Sequence, residues 1–129
     1  MIDVLKALNK WERREFDYGS VDCCQFAGFI VQELTGKDYL TDFDYNSEAA
    51  AEKIIASNGD LIATASTVLG ESTSDIESLP DGSPVIVDME GQQAMGVKLA
   101  SEAVCLLKKG LARVHRQHII RGWNVWLTS

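Results

Sequence analysis

The hydrophobic pattern of the chain changes its period once, near Pro84, and that change constrains the fold more than any other feature. Before it, apolar residues recur at helical spacing. Ile2, Leu5, Leu8 and Trp11 fall three apart, which lays one apolar stripe along a short opening helix. A turn at Tyr18-Gly19-Ser20 leads into a second helix over 22–35, nearly all apolar from 26 to 31. Gly36 ends it, since glycine takes the left-handed backbone past a helix terminus without a Cβ penalty. Asn46-Ser47 cap a third helix, rich in Ala and Ile, that stops at Asn58-Gly59; Asp60 caps a fourth through Val68, closed by Gly70. The polar, acidic stretch 71–83 reads as a connecting loop.

Beyond Pro84 the runs are short and β-like: Val85-Ile86-Val87, then 96–99, 103–107, 111–115 and 123–126. Turns at Glu90-Gly91, Ser101-Glu102, Lys109-Gly110 and Arg121-Gly122 separate them. Helices first and an antiparallel meander afterwards predict an α+β fold. The N-terminal helices should include a buried, Cys-bearing helix over 22–35, packed on a C-terminal antiparallel sheet of at least four strands. The chain of 129 residues has no repeat, low-complexity tract or linker, so 1–129 is read as a single domain.

Charge and hydropathy narrow the partners. A net charge of −7 argues against nucleic acid and against anionic membrane surfaces, both of which attract a Lys/Arg surplus. Arg113, Arg116 and Arg121 read as solvated strand and turn charge. No apolar run approaches the roughly 20 residues that cross a bilayer, so no membrane insertion is expected. Met1-Ile2-Asp3 opens without a basic region leading into an apolar one, and no signal peptide is expected. The chain should be made and mature in cytoplasm unless another assembly carries it out. Its three cysteines, Cys23, Cys24 and Cys105, cannot all pair, which favours buried or reactive thiols over a disulfide scaffold. Adjacent Cys23 and Cys24, with His115 and His118 far along the chain, lack zinc-knuckle spacing, so neither a metal nor a cofactor is expected.

The segment Tyr18-Gly19-Ser20-Val21-Asp22-Cys23-Cys24-Gln25-Phe26 carries the chemistry. A cysteine in the first turn of a buried helix feels unpaired amides and the positive end of the helix dipole, which favour thiolate. The commoner fate of such a cysteine is a small apolar core residue, and the residues alone leave both readings open.

Tyr-Gly, a short spacer, then Asp-Cys and an apolar helix resembles the nucleophile motif of NlpC/P60 cysteine peptidases. The family's Asp-Cys-Ser-Gly-Phe is similar to Asp22-Cys23-Cys24-Gln25-Phe26, with Cys24 in place of the usual Ser. The resemblance is closer to a branch of these proteins found in tailed phages and prophages. Trp11, Phe16-Asp17-Tyr18-Gly19, Thr35-Gly36-Lys37-Asp38, the stretch 82–87 and Trp123-Asn124-Val125-Trp126 carry it over nearly the whole chain. It implies a papain-like fold of the NlpC/P60 type, Cys23 as nucleophile, and Tyr18 and Asp22 holding the free amine of a cell-wall peptide.

One departure bears on activity. A thiol peptidase needs an imidazole to hold and return the proton. The family's His opens the second strand in a His-Val-Gly-Ile-like segment, and here that stretch is Ala94-Met95-Gly96-Val97. The third polar residue falls near Cys105 and Leu106. His115 and His118 remain as displaced candidates for the base, or as surface residues of an Arg- and Gln-rich turn.

Three functions are therefore weighed. The first is a non-hydrolytic phage tail component, at the tail tip or in tail assembly, whose partners are other tail proteins and whose place is the virion tail. The second is a peptidoglycan-cleaving peptidase or amidase acting through Cys23. The third is a binding module that grips a partner peptide in the old substrate cleft. Trp123 and Trp126 would lie on opposite faces of a final strand, one in the core and one turned outward to a partner chain.

Overall fold

The computed structural model describes residues 8, 11, 22–39, 45–107 and 109–125. Its described helices are those the caps announce. Helix α1, Cys23–Thr35, begins at Asp22, whose Oδ1 accepts the Gln25 amide at 2.8 Å, and ends at Gly36 with φ 80°. Helix α2, Glu48–Asn58, is capped by Ser47 and has no buried residue. Helix α3, Leu61–Leu69, is capped by Asp60, which accepts from the Ala63 amide at 2.7 Å, and ends at Gly70. Each such side-chain cap is worth about 1 kcal/mol. Of the expected opening helix, Leu8 is helical and both Leu8 and Trp11 are buried; its other residues lie outside those described.

The second half is a five-stranded antiparallel sheet in the order β4-β3-β2-β1-β5. Strands β1 (Pro84–Met89), β2 (Gln92–Leu99), β3 (Glu102–Leu107) and β4 (Gly110–His115) form a meander, and β5 (Ile119–Gly122) returns to the free side of β1. The β1–β2 turn is tight because Glu90 and Gly91 both take positive φ, 56° and 86°, the handedness that matches strand twist. The domain is thus α+β, with a buried Cys-bearing helix on an antiparallel sheet.

Alternation along the strands divides the core in two. Ile86, Met95, Val97, Val104 and Leu106 pack with Phe26, Ile30 and Val31 of α1. Trp11 meets Phe26 edge to face there, ring centroids 5.7 Å apart. On the other side Val85, Val87, Ala103, Cys105 and Val114 form a second cluster with Ile76 and Leu79. Segment 71–83 therefore does more than connect. It holds a turn of 3-10 helix, Ile76–Ser78, buries Ile76 and Leu79 against that second cluster, and bridges Thr73 to Gly122.

The last strand departs from the sequence reading, which placed it at 123–126 with Arg121-Gly122 as a separator. The pairing instead uses Ile119–Gly122, with Gly122 opposite Val85. A Cβ on Gly122 would stand 2.5 Å from Leu79 Cδ1 and 3.0 Å from Val85 Cγ1, so glycine belongs inside this strand. Trp123 lies just beyond it, 1% exposed, its indole N–H donating to the Gly70 carbonyl at 2.9 Å. Trp126 lies outside the described residues.

Candidate functional site

The site forms where the N-terminus of α1 meets the sheet. The first helical amides have no partner within the helix. Asp22 satisfies one of them, the Gln25 amide, through its side chain, while its carbonyl accepts the first regular helical bond, from the Phe26 amide at 2.8 Å. Its other oxygen, Oδ2, accepts the Tyr45 hydroxyl at 2.7 Å. Asp22 is 3% exposed, so both oxygens work in a largely dry setting.

Cys23, the first helical residue, packs against both core clusters. Its thiol is held below its ordinary pKa, first by the Cys24 thiol donating to it, then by the Met95 and Cys24 backbone amides; burial and the Asp22 charge oppose them. The β2–β3 register ends at Gly96 opposite Cys105, which leaves Met95 beyond the end of that ladder, at the sulfur. Cys24 moves the other way. Its hydrogen bond to Cys23 and its burial keep the thiol protonated. Burial, with a smaller push from the Cys23 charge, raises the Cys105 thiol to about 12. Tyr45 is likewise held neutral, by burial first, with the neighbouring Cys24 and Asp22 side chains pushing the same way. Of the three thiols, Cys23 alone is shifted towards the ionised form, while Cys24 and Cys105 are shifted away from it.

The structure brings together some of the residues singled out from sequence. Asp22 and Cys23 are adjacent in the site, and Cys105 lies in the cluster against which Cys23 packs. His115 ends β4, the far edge strand, where its Nδ1 accepts from the Gln117 amide at 3.1 Å. His118 follows in a short 3-10 turn, its Nε2 3.2 Å from the Gln117 side-chain nitrogen. Neither imidazole is among the groups acting on the Cys23 thiol. Tyr18 lies outside the described residues.

One participant, Tyr45, was not found from sequence, and for Met95, which with Ala94 stands where the resemblance expects His, the backbone contact was not foreseen. Tyr45 sits 23 residues from Asp22, and its only local signal is its place just before the Asn46-Ser47 cap. The Met95 contact is made by a backbone amide, which no side chain announces. Chemically, the arrangement eases ionisation of the Cys23 thiol, the form that attacks soft electrophiles. Amide cleavage further needs a group that delivers a proton to the leaving amine.

No helix among the described residues is long and apolar enough to cross a membrane. No curated protein matches the chain. A model of the family described as "Domain of unknown function (DUF6950)" matches residues 3–125, and the chain belongs to that family.

Proposed function

We propose that this chain is a phage tail component, at the tail tip or in tail assembly, built on an NlpC/P60-like scaffold that no longer hydrolyses its substrate. One observation carries the non-hydrolytic part. The strand residue at the Cys23 sulfur is Met95, and its contact there is a backbone amide instead of an imidazole. The tail setting is supported by the likeness of Trp11, Tyr18-Gly19, Asp22-Cys23-Cys24 and the closing tryptophans to phage-borne members of that fold. Its partners on this reading are other tail proteins, and its location is the virion tail.

The test has two arms. The parent and a Cys23→Ser variant are incubated with purified peptidoglycan, and equal, negligible turnover is expected. Release of peptide by the parent alone would overturn the non-hydrolytic reading. A phage deleted for this gene is expected to give particles with defective tails; normal tails would overturn the structural role.

One observation favours a second reading, cleavage of peptidoglycan peptides by Cys23. The surroundings still favour thiolate, which a purely structural cysteine does not need. On that reading the base is His115 or His118, brought in from positions where both now contact Gln117. Losing one member of a catalytic triad typically costs several powers of ten in rate, which is why the first reading is preferred.

A further inference from the structure

A cavity of about 80 Å³ lies between α1, α2 and α3, bordering the thiol site at Cys24 and Met95. Its wall is mainly aliphatic, with Ala27 and Val31 from α1, Ile54 and Ile55 from α2, and Ala65 and Val68 from α3. Of the four polar side chains among the described wall residues, Tyr39, Tyr45, Thr64 and Cys24, three are already engaged as donors within the protein. Thr64 donates to the Asp60 carbonyl at 2.8 Å, Tyr45 to Asp22 at 2.7 Å, and the Cys24 thiol to Cys23. A buried water needs two to four polar partners, which such a wall does not readily supply. An apolar guest needs none.

Size and charge narrow the guest. The volume is roughly half of the ~150 Å³ in which an apolar protein cavity holds benzene. The smaller volume favours the end of a polymethylene chain over a ring. Behind Cys24, outside the wall itself, stands the Asp22 carboxylate, whose charge disfavours an anionic group at that end. We propose that this cavity binds the end of a linear aliphatic chain carrying an uncharged head, the chemistry of a long-chain alcohol or acyl ester. The site goes beyond the proposed function and does not depend on whether Cys23 reacts.

The experiment titrates the full chain with 1-octanol, octanoate, benzene and N-acetyl-leucinamide, reading heat of binding and thermal midpoint. Octanol is expected to bind and raise the midpoint, with octanoate at least tenfold weaker and benzene weaker than octanol. Ala65→Leu fills the cavity and should abolish octanol binding while the protein stays folded. Should that variant not fold, Ala51→Leu, from the wall residue on the otherwise unburied α2, serves the same purpose. No response to octanol overturns the proposal, as does undiminished binding in a folded cavity-filled variant. Tighter binding of benzene or octanoate than octanol overturns the argument from size or charge. A response to N-acetyl-leucinamide alone would reassign the cavity to a partner's aliphatic side chain and overturn it too.

Discussion

At Cys23 a neighbouring thiol and two amides favour the thiolate, while burial and the Asp22 charge oppose it. Asp22→Asn separates these effects, because asparagine still offers an oxygen to the Gln25 amide but carries no charge. The pH at which iodoacetamide alkylation of Cys23 is half-maximal is expected to fall in this variant. A rise would show that Asp22 acts there through something other than its charge. Asp22→Ala removes the cap and also orphans the Tyr45 hydroxyl, at a cost of about 2–4 kcal/mol in denaturant melts. Cys105 has the opposite sign. Its folded pKa of about 12 lies above the ordinary 9.0, so the unfolded chain loses the proton first. Its contribution is whole below pH 9 and declines as pH rises towards 12, by on the order of 4 kcal/mol across that window. Stability measured against pH should fall less steeply between 9 and 12 in Cys105→Ala than in the parent. Equal slopes would mean that the thiol ionises freely in the fold.

Among the elements, Gly122 has the least room for change. A methyl group there meets Leu79 and Val85 within 3.0 Å, on the strand that closes the sheet against segment 71–83. Gly122→Ala is expected to cost about 1–3 kcal/mol, seen as a lower urea midpoint, through overpacking. A neutral result would mean that Leu79 swings aside. The same strand marks where the sequence ceased to be legible. Helices α1 to α3 could be read to within a residue because Asp22, Ser47, Asp60, Gly36, Gly59 and Gly70 act on their own neighbours. A closing strand drawn through the aromatic residues at 123–126 followed β-propensity. The actual pairing is decided by Val85, more than thirty residues away. The site divides in the same manner. The cap placed Asp22 and Cys23 at the helix start and the family resemblance pointed to the Ala94-Met95 stretch, whereas Tyr45 and the use of a backbone amide at Met95 arise from tertiary packing and leave no local pattern.

Taken whole, the molecule is fastened by contacts of very unequal span. The helices and the β1–β4 meander are made of near neighbours in sequence. Joining them, by contrast, brings Trp123 to Gly70, 53 residues apart, while Thr73 and Gly122 exchange both backbone hydrogen bonds, at 2.8 and 3.0 Å. Closing so large a loop costs entropy before any contact repays it, so this clasp belongs late in folding. Contacts absent from the folding transition state govern how fast a protein comes apart. The lifetime of the native molecule, as distinct from its equilibrium stability, is then expected to shorten when the contact between the Trp123 indole and the Gly70 carbonyl is removed.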